Sequence, residues 1–339
     1  MAKKKTRRAA KLNWVVITLV ALVSALCILR TLEDKYQMGL GLPGLQLPSL
    51  TFLYEYIEDI AGDLSQPENK DSMDNALAVS GPLAGSPLTI HVLDMGQADS
   101  VLIRSPGMNV LIDAGENDQG ALLLRYLEDL GIGKLDIVIG THPHSDHIGG
   151  LDTVISGTRI GKVILPAIPD ALVPTTQTYT DLLAAIDEKG LRITVAQPGL
   201  ELDLGDGVTL TLLGPLKDYG DLNDMSVITR VDYGDTSFLF TGDAEAQAEL
   251  DLAERWDLKA DVLKLSHHGS KTSSAAAFLD AVSPSVGVIS CGLDNSYGHP
   301  HSEVMERLAQ RDIEIYRTDL MGTVVLQSDG RQIAISTEK

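Results

Sequence analysis

The chain is 339 residues long, 44% hydrophobic and 22% charged, with a formal net charge of −20 and two cysteines. That length accommodates one large domain or two ordinary ones, each with its own core; Cys27 and Cys291 are too few for a disulfide-built scaffold. Lys3, Lys4, Lys5, Arg7, Arg8 and Lys11 lead the chain, so residues 12–339 carry −26, a body poorly suited to non-specific duplex binding through a Lys/Arg surface, though not to a site handling one phosphate at a time.

From Leu12 to Leu29 the chain is apolar apart from Asn13, Thr18 and Ser24, close to the roughly 20 residues that span a hydrocarbon core. The basic flank predicts that the N-terminus stays inside and the rest lies outside. A cleaved signal peptide ending near Ala25 is the rival reading. Apolar character continues through Leu29, which favours a single-pass anchor over residues 12–30 behind a basic tip, 1–11. Residues 31–87 read as a tether: Gly39–Ser49 has no helix or strand period, Thr51–Ile60 suggests a short amphipathic helix, and Leu64–Pro87 is rich in Ser, Asn, Asp, Gly and Pro. The folded domain is expected at 88–339, and no segment points to a protein partner.

Within it, Thr89–Leu93, Val101–Arg104 and Asn109–Ile112 read as three successive strands. A helix over Gly120–Leu130 precedes the apolar strand Leu135–Ile139. Then come a strand at Lys162–Leu165, a helix at Tyr179–Lys189, and strands at Arg192–Val195 and Val208–Leu213. Ser226–Val231 and Ser237–Phe240 pair around Tyr233-Gly234-Asp235. A helix at Ala244–Trp256, a strand at Val262–Leu265 and a helix at Ser274–Ala281 follow. Strands at Val286–Ile289, Glu314–Tyr316 and Thr323–Gln327, with a helix at Ser302–Ala309, complete the pattern. Two groups of strands interleaved with helices predict an α/β fold of two sheets face to face with helices outside.

The chemistry concentrates at strand ends. Thr141–Gly150 reads THPHSDHIGG and follows a buried strand. His142 and His144, two residues apart on extended backbone, face one side, and Asp146 and His147 fall where a turn or helix begins. Three imidazoles and a carboxylate so close together suit zinc or a similar divalent metal. Asp113 ends the strand in LIDAG and Asp243 ends the strand in FLFTGD; each reads either as a turn or cap residue or as a carboxylate reaching into a site built from loops. Lys264–Ser273 reads KLSHHGSKTS, with adjacent His267 and His268 pointing different ways: one reaches a metal, the other substrate or a carboxylate. Gly269, Ser270 and Lys271 then offer amides, a hydroxyl and a cation as an oxyanion cradle. Asn295, Tyr297 and His299 add hydrogen-bonding groups on a loop, while His301 borders a helix start and His91 sits inside a strand, where structural roles fit better.

Taken in order, HVLDMGQADSVLI, LIDAG, THPHSDHIGG, FLFTGDAE, LKLSHHGSKTS, ISCGLDNSYGHPH and YRTDLMGTV resemble the metallo-β-lactamase superfamily and, more narrowly, the hydrolase domain of ComEC-type competence DNA-uptake proteins. The resemblance covers roughly residues 88 to 330 and leaves out the multi-span channel of those proteins. It implies a four-layer αββα sandwich with two divalent ions, zinc or alternatively manganese, at one edge. His142 and His144 would hold the first ion. Asp146, His147 and one of His267/His268, preferably His268, would hold the second, with Asp243 bridging. Asp113 would orient the cluster. Many superfamily members supply a further histidine to the first ion; here no histidine stands between His147 and His267, so water or Asn223, in Asn223-Asp-Met-Ser226, is expected to complete it.

The mechanism so implied is attack of an activated water on phosphorus. Lys271, with the Gly269 amide, is expected to hold a non-bridging oxygen, and His299 or Tyr297 to assist the leaving oxygen. With Asp146, these are the side chains expected beside the reacting atoms; Ser270 and Asn295 are expected to contact substrate. Three readings follow: a membrane-anchored exterior phosphodiesterase acting on DNA, single strands before duplex; a hydrolase of another exterior substrate such as a phosphocholine ester or a β-lactam; and a non-catalytic metal-binding module.

Overall fold

The computed structural model describes residues 78–80 and 87–339. The expected anchor over 12–30 and the helix at Thr51–Ile60 lie outside the described residues; among the described residues no helix is long and apolar enough to cross a membrane. In chain order the strands are β1 (Ala78–Ser80), β2 (Leu88–Val92), β3 (Val101–Arg104), β4 (Asn109–Ile112), β5 (Lys134–Ile139), β6 (Arg159–Leu165) and β7 (Ile193–Val195). Then come β8 (Glu201–Gly205), β9 (Val208–Leu212), β10 (Thr229–Tyr233), β11 (Thr236–Phe240), β12 (Val262–Lys264), β13 (Val286–Ile289) and β14 (Glu314–Arg317), and finally β15 (Val324–Ser328) and β16 (Ile333–Thr337). The first group forms one sheet, in the order β1-β16-β15-β2-β3-β4-β5-β6-β7, and the second forms another, β14-β13-β12-β11-β10-β9-β8. The last two strands thus return to the first sheet. The first sheet also takes in Ala78–Ser80, which pairs with Ile333–Ile335, so part of the stretch expected to be tether belongs to the fold.

Alternation within the strands explains the layering. Val101 and Ile103 of β3, Val110 and Ile112 of β4, and Phe238 and Phe240 of β11 enter one core between the sheets. The intervening Leu102, Leu111 and Leu239 face outward under helices. Strands covered on both faces read as unbroken apolar runs, which is why these were visible in the sequence. The first sheet is covered by helices α1 (Gly120–Asp129), α2 (Ser145–Ile148), α3 (Leu151–Gly157) and α4 (Gln177–Glu188), through Leu123 and Leu127, Val154 and Ile155, and Leu182 and Ile186. The second is covered by α5 (Ala246–Arg255), α6 (Ala276–Val282) and α7 (Ser302–Ala309), with α8 (Thr318–Met321) after β14. Their buried stripes are Ala248 and Leu252, Phe278 and Leu279, and Val304 and Leu308, at the three- and four-residue spacing of one helix face. The result is the α/β sandwich of four layers that the pattern predicts.

Register then places the chemistry. Ile112 pairs with Ile139 in parallel, so Asp113 and Thr141-His142 emerge together at the strands' C-terminal ends. Phe240 pairs with Lys264, and Lys264 with Val288, so Asp243, His267 and the loop after β13 emerge together from the other sheet. The Val227 amide donates to the Thr141 carbonyl at 2.9 Å and ties the two groups of ends to each other. Gly149 and Gly150 let α2 close against its neighbours: a Cβ on Gly149 would stand 2.4 Å from the Asn117 nitrogen, and one on Gly150 2.4 Å from the Ala114 oxygen. No side chain fits there.

Candidate active site

The centre is built around Asp243. Gly242, at φ +53°, turns the chain out of β11 where a Cβ would meet Ser226 and Thr141, and the Asp243 amide donates to Ser226 Oγ at 3.1 Å. The buried carboxylate then presents one oxygen to each side. Oδ1 lies 3.2 Å from His147 Nε2 and 3.8 Å from His268 Nε2. Oδ2 lies 3.9 Å from His142 Nε2 and 3.7 Å from His267 Nε2.

Asp113, itself at φ 60°, fixes the histidine cluster from below. It accepts from the Thr141 amide at 2.8 Å, from Thr141 Oγ1 at 2.7 Å and from His147 Nδ1 at 2.8 Å. Nδ1 of His147 is thereby committed and Nε2 turns to the centre, the arrangement by which a carboxylate orients a ligating imidazole. On the first side, His142 Nε2 lies 3.0 Å from His144 Nδ1.

The adjacent histidines diverge because both adopt left-handed backbone, His267 at φ 50° and His268 at φ 54°. Two consecutive non-glycine residues there are strained, and their ring planes end 65° apart. His268 Nδ1 donates to the Ser290 carbonyl at 2.9 Å, and its Nε2 lies 3.3 Å from Asp146 Oδ2. His267 Nδ1 lies 3.2 Å from Glu245 Oε1, which also accepts from Thr272 Oγ1 at 2.8 Å. Sequence reasoning put one of the pair on a metal; the structure sets both against Asp243, on opposite oxygens.

The donor set fits a divalent cation. Asp146, His147, Asp243 and His268 each offer one ligand atom, all within 4.8 Å of one another. His147 Nε2 and Asp243 Oδ1 face each other, buried and without hydrogen-bond partners, a costly arrangement unless a positive charge joins them. The carboxylates also favour a positive charge at this point. Burial opposes the charged form of His147, but the Asp243 and Asp113 carboxylates outweigh it and hold its pKa well above the usual value. Burial likewise opposes the Asp243 anion, yet His147 and His268 keep its pKa well below the carboxylate range. Burial, with His147 nearby, pushes His142 well down, leaving a neutral imidazole suited to ligation.

A cleft of about 410 Å³ opens over this centre, lined among others by Gln97, His144, Asp146, Asn223, Tyr297 and His299. Asn223 Oδ1 is buried without a partner, while its Nδ2 reaches Glu245 Oε1 at 3.4 Å. The expected oxyanion cradle does not form. Lys271 is exposed and is not among the residues lining the cleft; its amide is spent on His301 Nδ1 at 3.1 Å and the Ser270 amide on the His267 carbonyl at 2.8 Å. A Cβ on Gly269 would stand 2.6 Å from Pro300, so that glycine serves loop packing. Asn295 is likewise turned inward: Nδ2 donates to the Gly292 and His299 carbonyls and Oδ1 accepts from the His299 amide. It staples the loop that carries His299 instead of reaching substrate.

Three contributors were missed. Asp99 and Lys264 form a buried ion pair at 2.5 Å beneath His268, whose Nδ1 lies 3.5 Å from Asp99 Oδ1. The available signal was a lysine set between Leu263 and Leu265 at the end of the apolar strand β12. Gln97 is the third. Its Oε1 accepts from the Gly292 amide at 3.1 Å, which turns its Nε2 toward His299 Nδ1 at 3.2 Å.

A mixed α/β sandwich with a histidine- and aspartate-lined centre at the strand ends defines a metal-dependent hydrolase fold. The chain belongs to the metallo-β-lactamase superfamily, whose family model matches residues 93–293. It is 30% identical over 262 residues to ComE operon protein 3 of Bacillus subtilis (strain 168), covering 72% of this chain and 33% of that protein. It is 33% identical over 239 residues to Competence protein ComA of Neisseria gonorrhoeae, covering 69% of this chain and 31% of that protein. The chain thus spans about a third of the length of these relatives. Among solved structures, the metallo-β-lactamase fold protein YhfI from Bacillus subtilis matches with a TM-score of 0.43 at 15% identity, over 68% of this chain and 96% of that one.

Proposed function

We propose that the protein is a metal-dependent phosphodiesterase that cuts DNA, held in the membrane by residues 12–30 with its hydrolase domain outside. The hydrolase reading is carried by the partnerless pair His147 Nε2 and Asp243 Oδ1 inside a closed ring of donors. The likeness to competence proteins over some 70% of the chain directs it toward nucleic acid.

Two divalent ions, zinc or manganese, would be held on the two sides of Asp243: one by Asp146, His147 and His268, the other by His142, His144 and the second Asp243 oxygen. His267 and Asn223 are the remaining donors on that side. Bound there, such ions lower the pKa of water to about 7 and polarise the phosphoryl group. The chain's own residues supply the rest. Asp113 and the Ser290 carbonyl hold His147 and His268 in the ligating tautomer. Because Gln97 donates to His299 Nδ1, His299 carries its proton on Nε2, which has no hydrogen-bond partner among the described residues. Burial, with His268 and His267 nearby, lowers the His299 pKa to about 4, so a neutral imidazole offers an N–H to an oxygen of the substrate.

The test is a hydrolysis panel with the full chain in detergent, stripped of metal and reloaded with Zn²⁺ or Mn²⁺. Substrates are matched single- and double-stranded DNA, a phosphocholine ester and a β-lactam. Metal-dependent cleavage of DNA, single strands faster, is expected. A loaded enzyme that ignores every nucleic acid yet hydrolyses a small ester would overturn the nuclease reading. Mass spectrometry of the native N-terminus tests the anchor: a mature chain starting at Leu26 would show a cleaved signal peptide instead.

A further inference from the structure

Resting on the nuclease reading, we infer that Tyr297 is the platform on which a base of a single-stranded DNA substrate stacks beside the scissile phosphate. The rings of His268, His299 and Tyr297 form a column leading out of the metal centre. His268 and His299 lie 6.2 Å apart with planes 24° from parallel, and His299 and Tyr297 lie 5.6 Å apart at 21°. The column ends in the Tyr297 ring, which is 66% exposed and lines the cleft. Its base is rigid, since His299 is held by Gln97 at Nδ1 and by Asn295 at its amide and carbonyl.

The exposed ring stands on the wall of the cleft over the metal centre, in a chain with only 4% aromatic residues. Charge makes the assignment specific. No lysine or arginine is among the described residues lining the cleft, and the body carries a large negative charge. Nucleic acid is usually gripped through cations on its phosphates, a route closed here beyond the centre itself. A flat π-face holds a base without attracting or repelling phosphate, and does so regardless of sequence. Only an unpaired base offers its face, so the platform selects single strands.

The experiment compares wild type with Tyr297→Ala, Tyr297→Phe and Tyr297→Trp, each as the full metal-loaded chain, on a DNA single strand and on the same strand made abasic throughout. The ratio of kcat/KM for the base-bearing over the abasic strand should fall about tenfold in Tyr297→Ala and persist in Tyr297→Phe and Tyr297→Trp. A 2-aminopurine strand bound in the absence of turnover should have its fluorescence quenched by wild type, Tyr297→Phe and Tyr297→Trp but not by Tyr297→Ala. An unchanged ratio in Tyr297→Ala would overturn the platform while leaving the nuclease intact. Tyr297→Phe behaving like Tyr297→Ala would assign the function to the hydroxyl and also overturn it. A wild type inert toward DNA removes the nuclease reading, and the platform with it.

Discussion

Replacing Lys264 by methionine tests whether the buried Asp99 carboxylate beneath the centre depends on its partner. Both side chains are 2% exposed, and Lys264 Nζ lies 2.5 Å from Asp99 Oδ2. At an effective dielectric constant of about 20 the attraction at that distance is roughly 7 kcal/mol. Most of it offsets the desolvation of two ions, so the pair itself contributes little net. Removing one partner is different. Lys264→Met keeps the length and apolar stem but strands the Asp99 carboxylate, whose other oxygen already lacks a hydrogen-bond partner. Breaking a buried pair by removing one partner costs about 3–5 kcal/mol. At about 2–4 °C per kcal/mol for a domain of this size, the metal-free protein should melt roughly 10 °C lower. Asp99→Leu combined with Lys264→Met removes both charges and should recover most of that loss. The assay is thermal unfolding of the four proteins by circular dichroism. The reasoning fails if Lys264→Met melts within about 2 °C of wild type, or if the double variant is less stable than both single ones.

Asp243→Ala should abolish activity and lower the content of both ions in elemental analysis, because each of its oxygens faces a different group of histidines. In the same measurement His142→Ala should mainly deplete one site and His268→Ala the other; equal losses in both would show a single shared ion. Glu249 supplies a pH dependence. Buried under the Ser266–Ser274 loop and bonded to Ser266 Oγ and to the Ser274 and Ala275 amides, it has its pKa pushed up by burial to about 7. A carboxyl whose folded pKa exceeds its unfolded value contributes stability that is complete below about pH 4.5 and lost as pH rises through about 7. Urea unfolding of the metal-free chain should therefore show wild type losing on the order of 3 kcal/mol more than Glu249→Gln between pH 4.5 and pH 8. Parallel curves for the two proteins would refute that assignment.

Much of this molecule is written in local pattern. The strands Val101–Arg104, Asn109–Ile112 and Val286–Ile289 and the helix Ser302–Ala309 stand where the sequence alone places them, since a short apolar run between turn residues, or a stripe at helical spacing, needs no distant partner to be recognised. The residue types of a metal centre were equally plain in THPHSDH, because bonded geometry crowds those donors wherever the chain goes. The strands that escaped are those whose existence depends on a neighbour. β8 presents Glu201 and Asp203 to solvent at a sheet edge, β16 owes its place to β15, and β1 owes its place to β16. The strand expected at Ser226–Val231 begins instead at Thr229, because Ser226 is drawn into the site to receive the Asp243 amide. Only the tertiary structure set His267 and His268 on opposite oxygens of Asp243, paired Lys264 with Asp99, and turned Lys271 and Asn295 away from the cleft. A backbone dihedral or a buried ion pair is settled by what packs around it, and those neighbours arrive from distant parts of the chain.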